Sequence, residues 1–355
     1  MNQLLFTFAV IMFGWFVINT IYYFKHDYFV SRGFKLYYGL VLVYKKSKEI
    51  KKVEVVKKIS IGFVILYVIA IFFFFYSMIS GVLIKLGYLK YGVAPQLLIP
   101  GINITGMQLV YFILAVVIAA FVHELSHAYT ARSYGIKVRS IGFAIIFFVP
   151  IAFTEIDEES LTTANKKAKI ATLAAGPASN LILALVFMFI VLGMASTYGL
   201  LVINVEQNSL AEKYGIVPGT ILLEINNTKA TLTTLHNYLA LNETTTLELK
   251  VLYPNNTIGI IHILKPSNIT KLGVWLRSIP KLSIISSIGL APALTIFDII
   301  NWNYIVNLGL SLINAAPLFI SDGGRIMYEL FGRKIGLAVN VLGVLLLVLA
   351  VTIPY

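Results

Sequence analysis

The sequence predicts a polytopic α-helical membrane protein of about six spans, and three observations predict it. Of its 355 residues, 58% are hydrophobic and only 12% charged, whereas soluble chains carry roughly 25% charged residues. Apolar stretches at 4–24, 59–84, 106–131, 168–194, 299–318 and 335–353 each approach or exceed the roughly 18 to 20 residues that cross a bilayer core. The net charge of +12 is gathered into loops between these stretches, which is how a membrane protein sets its orientation.

The first stretch, "LLFTFAVIMFGWFVINTIYYF", has no basic segment before it and no small-residue cleavage site, so it reads as a retained span. The loop that follows, 25–58, holds Lys25, Arg32, Lys35, Lys45, Lys46, Lys48, Lys51, Lys52, Lys57 and Lys58. A basic run beside membrane spans sets topology or touches anionic headgroups, and nucleic acid is not an expected partner. Six spans put this loop on one side with Arg132, Lys137, Arg139, Lys166 and Lys167, and with Arg325, Arg333 and Lys334. That side is expected to be cytoplasmic. The loop at 85–105, the polar interlude at 197–280 and both chain ends then fall outside. The N-x-[ST] pattern at Asn103, Asn226, Asn242, Asn255 and Asn268 occurs only in segments already placed outside.

The third stretch carries "HELSH". His123 and His127 stand at i and i+4, on one helix face one turn apart, a spacing that lets two imidazoles hold one zinc ion. Glu124 beside them is placed to take a proton from water at the metal. Of five histidines in the chain, these two lie well inside a span, where ionisable residues are costly and mark functional sites. The competing reading is polar helix packing. If the helix leaves the membrane near Arg132, His123 is about 13 Å along the axis from that end, at 1.5 Å per residue. Water reaches such a site from the basic side.

A catalytic zinc takes three protein ligands and one open position. The chain has no cysteine, so disulfides and thiolate sites are excluded and the third ligand is a His, Asp or Glu. Asp322 stands at the basic end of the fifth span, followed by two glycines that permit a turn; a solvated turn residue is the alternative. Pro317 interrupts helical hydrogen bonding before it. Asn303, Asn307 and Asn314 share one face of that span, placed either to bond a substrate backbone or to glue helices together.

Taken together, "HELSH", "AGPASN" at 175–180 and "NAAPLFISDGG" at 314–324 resemble the site-2 protease family of intramembrane zinc metalloproteases, over roughly 106–330. The resemblance implies one zinc per chain held by His123, His127 and Asp322, with Glu124 catalytic. It implies that Asn314 and Pro317, and more weakly Asn180, position substrate. It further implies a membrane-associated β-hairpin in "RSIGFAIIFFVPIAFTEIDEES", 139–160, whose strand edge can hold an extended substrate; an interfacial loop is the alternative. Residues 197–280 resemble a PDZ-like α+β domain through "VEQNSLAEKYGIVPGTILLEINNTKA" and the apolar alternation of "TTLELKVLY". Leu210 stands where Pro is common there and Thr220 where Asp is, so peptide binding and size filtering both remain open.

The expected order of parts is therefore a first span and basic linker (1–58), a second span and external loop (59–105), and a catalytic core with hairpin (106–196). The PDZ-like domain (197–280), an Asp-bearing core span and its turn (281–334) and a last span (335–355) follow. The first two parts lie outside the family core, and no cytoplasmic sensing domain is expected after the last span. The implied activity is zinc endopeptidase cleavage of transmembrane segments near the cytoplasmic side, in regulated intramembrane proteolysis. The implied partners are single-span membrane proteins and the lipid bilayer. A divalent-metal transporter would favour several weak sites along a path, and an inactive PDZ-bearing adaptor would have lost part of the constellation. The absence of cysteine and the external acceptor sites suit an archaeal cell membrane.

Overall fold

The computed structural model describes residues 3–46, 52–146, 149–255 and 257–353. The elements run α1 (Gln3–Phe24), α2 (His26–Ser31), β1 (Phe34–Tyr37), β2 (Val41–Lys46), α3 (Glu54–Lys85), α4 (Gly106–Ser133), β3 (Val138–Ile146), β4 (Val149–Ile156), α5 (Glu158–Thr163) and α6 (Lys166–Met194). They continue with β5 (Ala195–Val205), α7 (Leu210–Lys213), β6 (Ile221–Ile225), β7 (Thr228–Lys229), α8 (Leu232–Leu239), β8 (Thr245–Leu252), β9 (Ile258–Lys265), β10 (Val274–Pro280), α9 (Leu282–Ile288), α10 (Leu290–Ala315) and α11 (Asp322–Thr352). Two compact units result, one of residues up to 188 with those from 299, the other of residues 189–298.

Among the described residues, α3, α4, α6, α10 and α11 are long and apolar enough to cross a membrane. The protein is multi-pass. The apolar α1, 22 residues long, stands in place of the first expected span. Outward-facing Ile65, Val68, Phe72, Leu342 and Leu345 are exposed, an arrangement suited to lipid and not to water. The fifth helix differs from expectation. It starts at Leu290 and ends at Ala315, so Pro317 lies past its end and interrupts nothing within it.

Polar contacts sort the ends of these helices. Ser133 Oγ donates to Val53 O at 2.9 Å, and Tyr134 Oη lies 2.7 Å from Ser60 Oγ, joining the end of α4 to the start of α3. Lys166 Nζ donates to Leu330 O at 3.3 Å and Lys169 Nζ lies 3.5 Å from Glu329 Oε2, joining the start of α6 to the first part of α11. At the opposite end Lys85 Nζ donates to Ala350 O at 2.8 Å. The basic segments thus gather at one end of the bundle.

The hairpin expected at 139–160 is present as β3 and β4, and it has company. The linker after α1 supplies β1 and β2, making an antiparallel sheet in the order β1-β2-β3-β4. Tyr38 and Gly39 turn the first pair with φ of 52° and 66°, the left-handed pair of a type I′ turn. Trp15 Nε1 and Asn19 Nδ2 of α1 both donate to Gly39 O, at 2.5 and 3.1 Å. Gly142 admits the crowding in mid-sheet, where a Cβ would fall 2.8 Å from Phe153 Cε1. Lys45 of β2 pairs with Glu155 of β4, which also accepts from Ser140 Oγ at 2.7 Å. Lys48 and Lys51 of the basic linker lie outside the described residues. The far edge of the sheet, β4, runs along α4, where Thr154 Oγ1 donates to Glu124 O at 2.8 Å.

In the second unit the sheet order is β10-β5-β6-β8-β9, with β7 beside β6. The alternation in "TTLELKVLY" puts Leu247, Leu249 and Val251 into the core with Val202, Leu222, Ile225 and Ile263. Ser209 caps the short α7 by accepting from Glu212 N. Arg277 of β10 forms a two-pronged pair with Asp298 of α10, at 3.1 and 2.8 Å.

The tie between linker and hairpin is pH-dependent. Lys45 first and Ser140 second hold the Glu155 carboxyl below its ordinary value of 4.5. A depressed carboxylate contributes stability above its unfolded pKa and loses it as pH falls through the folded value. Amide protection over Val41–Lys46, corrected for intrinsic exchange, is expected to fall in Glu155→Gln and as pH drops below that ordinary carboxyl value, while α4 keeps its own.

Candidate metal centre

The buried face of α4 carries Ala115, Ala119, His123 and His127 at intervals of four, so two alanines admit a close neighbour and two imidazoles follow on the same stripe. Both histidines are buried. The neighbour is α6, whose residues 171–181 are buried without a break. Gly176 is where the imidazoles sit. A Cβ built there would lie 2.5 Å from His123 Nε2 and closer still to His127 Nε2, so any side chain would crowd the two inward nitrogens or push the imidazoles apart.

Hydrogen bonds fix the protons. His127 Nδ1 donates to Thr172 O at 2.7 Å; a carbonyl only accepts, so Nε2 keeps its lone pair and turns it inward. The Asn180 amide nitrogen lies 3.3 Å from His123 Nδ1, while its Oδ1 is fully buried without a partner. A metal held by His123 Nε2 requires the proton on Nδ1 and an acceptor for it. Turning the amide end for end puts Oδ1 in that place, where it accepts the Nδ1 proton. Asn180 therefore stands behind His123, on its Nδ1 side.

Asp322 arrives from a third element. Sequence reading puts it at the end of the fifth span with a glycine turn after it; in the structure it is the first residue of α11, and Gly323 and Gly324 are helical. Their lack of a side chain serves close approach, since a Cβ on Gly323 would collide with the carbonyls of Ala315 and Ala316, and one on Gly324 with that of Leu318. Ser321 caps the helix by accepting from Gly324 N at 3.0 Å, and its Oγ also lies 2.6 Å from Ala316 O and 2.9 Å from Leu318 O. The carbonyls freed beyond α10 thus find a partner. Then α11 breaks at Gly332, φ 73° and ψ 177°, and its second part returns along its first. Asn340 Nδ2 donates to Gly324 O at 3.2 Å, and Cβ atoms on Gly336 and Gly343 would meet Tyr328 and Pro317.

The three ligand atoms converge. His123 Nε2 and His127 Nε2 are 3.1 Å apart, and Asp322 Oδ2 lies 3.1 and 3.2 Å from them. Zinc bonds of about 2.0–2.1 Å at tetrahedral angles separate ligand atoms by about 3.3 Å. The donor set, the spacing, the cradle at Gly176 and the unpartnered Asn180 oxygen all fit one zinc ion. Among the described residues this is the one group of three such ligands.

Glu124 is half-buried on the same helix, next to His123 in sequence. Asn314 is half-buried in the last turn of α10, and Pro317 is buried in the segment leading to Asp322. Asn303 and Asn307 are buried and donate to the carbonyls of Ile299 and Asn303 in their own helix, both at 2.8 Å, while the Oδ1 of each is buried without a partner. Sequence reasoning missed Ser321, Thr172 and Asn340, while Gly176 stands in the "AGPASN" stretch it singled out. Only Ser321 carried a signal, as a capping residue before a helix.

A protein-family model, described as peptidase family M50, matches residues 111–351, more than half of the chain. The chain belongs to peptidase family M50. The match takes in α4 with both histidines, the buried stretch of α6 and Asp322 of α11; it leaves out α1, the first strands and α3. An uncharacterized protein of Methanocaldococcus jannaschii is 30% identical over 220 residues, covering 59% of this chain and 54% of that one. A Campylobacter jejuni protein named "Putative zinc metalloprotease Cj1068" is 30% identical over 165 residues, covering 37% and 44%. The chain thus spans about half the length of these relatives. M50 membership points to a membrane zinc metalloprotease, and zinc is the ion the family implies.

Replacing Gly176 by Ala is expected to weaken zinc binding by at least about tenfold, because displaced ligands cost about 10- to 100-fold. Competition with a chromophoric chelator reads the change. Unaltered affinity would contradict the cradle.

Proposed function

We propose that this M50 protein is an intramembrane zinc endopeptidase that cleaves transmembrane segments of membrane-tethered proteins near the cytoplasmic side, in regulated intramembrane proteolysis. The observation that carries the reading is the meeting of His123, His127 and Asp322 within 3.2 Å on membrane-length helices, with a carboxylate beside them that takes no part in the cluster. In this reading the three hold zinc. Bound zinc supplies Lewis acidity, polarising a peptide carbonyl and making water easier to deprotonate. Glu124 takes the proton and returns one to the leaving amine. Thr172 and Asn180 keep the imidazole lone pairs turned inward, and Asn314 and Pro317 position substrate beside Asp322.

A helical segment hides its peptide bonds, so cleavage requires an extended one. Support for where it lies comes from β4, an edge strand along α4 with Thr154 bonded to the carbonyl of Glu124. A substrate strand added there gains backbone hydrogen bonds next to the catalytic carboxylate. The other long edge of β3 is taken by β2, which leaves β4 for substrate.

Basic segments are cytoplasmic in this reading, while 197–280 is an external PDZ-like domain that binds peptide or filters by size. The order of β10 at the sheet edge, β5 beside it and helices α7 and α8 supports that domain. One compact site with a base beside it, and no second group of three such ligands among the described residues, favours hydrolysis over transport.

Purified protein is expected to cleave a single-span model substrate. Glu124→Gln should slow cleavage by at least about 10²- to 10⁴-fold while keeping its zinc. Cleavage at the parental rate by the variant would overturn the assignment.

A further inference from the structure

The α3 helix lies ahead of the residues that match the family, yet one of its side chains packs among the elements that build the metal centre. Tyr67 is 3% exposed, and its hydroxyl, shielded from solvent, makes no hydrogen bond. It shares a buried cluster with Leu173 and Ala174 of α6, Ala315 of α10, and Ile326 and Met327 of α11. Those residues belong to the elements that build the site. Leu173 follows Thr172, the acceptor for His127; Ile326 is one turn beyond Asp322; Ala315 is where Gly323 approaches. Asp322, one turn before Ile326 on α11, is the carboxylate that this cluster adjoins.

A buried hydroxyl without an acceptor is uncommon and calls for a physical reason. Asp322 supplies one. Its Oδ2 faces both imidazole Nε2 atoms, so Oδ1 is left to accept, and the terminal torsion of an aspartate is soft enough to turn it toward a donor. Carboxylate ligands in metal sites are themselves held by hydrogen bonds.

We propose that Tyr67 is a positioning residue for the metal centre, its hydroxyl being the donor that orients the Asp322 carboxylate when the ion is bound. This assigns a role to α3 as the wall of the site contributed from outside the matched region. The inference rests on the zinc reading above.

The test is zinc affinity of the full-length protein in detergent, by chelator competition, for the parent, Tyr67→Phe, Asp322→Ala and the double variant. Loss of a supporting hydrogen bond is expected to lower affinity by about 10- to 100-fold in Tyr67→Phe, with the melting temperature of the zinc-free protein unchanged or raised. In the Asp322→Ala background the same change should cost nothing further, since the hydroxyl acts through Asp322. Equal affinity in parent and Tyr67→Phe overturns this inference alone, as does an equal loss in both backgrounds. A parent that binds no zinc overturns the proposed function and this inference together.

Discussion

Two imidazoles and a carboxylate within 3.2 Å of one another, inside a bundle of membrane-length helices, are the constraint around which the rest of the first unit is arranged. Ionisable groups at such a depth are tolerated only when they satisfy one another or share an ion. Bringing them together requires backbones to meet more closely than ordinary side chains allow. The closest approaches fall at glycines: Gly176 beneath the imidazoles, Gly323 and Gly324 against the carbonyls beyond α10, and Gly336 and Gly343 where α11 folds back on itself. A methyl group at any of these positions would move a ligand or the element that carries it.

The same constraint explains the polar residues that accompany the ligands. Each imidazole has one nitrogen turned inward and one that must be satisfied elsewhere, and Thr172 and Asn180 of α6 stand on the outer nitrogens. Ser321 gathers the groups left over where α10 ends and α11 begins, so Asp322 starts a helix whose position is fixed before its side chain is considered. Rigidity of this kind matters because a metal ligand misplaced by even a fraction of an ångström weakens binding and orientation together.

The placing of the two histidines was legible because its spacing is local: "HELSH" fixes both to one helix face whatever surrounds it. Asp322 was legible as a residue and not as a position, since "SDGG" reads equally well as a turn and as a capped helix start; the serine decides between them, and it went unread. The strands at Phe34–Tyr37 and Val41–Lys46 were hidden by the basic run around them, which reads as a solvated linker, and by the pairing of β2 with β3 about a hundred residues onward. No local pattern announces such a partner. Tyr67 was invisible for the same reason: in "VILYVIA" it is one aromatic residue in an apolar helix, and only the packing of α3 against α6 and α11 gives its hydroxyl a meaning.

Zinc K-edge X-ray absorption on the purified protein tests the central claim most directly. The account predicts a four-coordinate first shell of nitrogen and oxygen at about 2.0–2.1 Å, with the outer scattering of two imidazoles, and loss of one imidazole in His123→Ala. A six-coordinate oxygen shell without imidazole scattering, or a spectrum unchanged by removing His123, would contradict it.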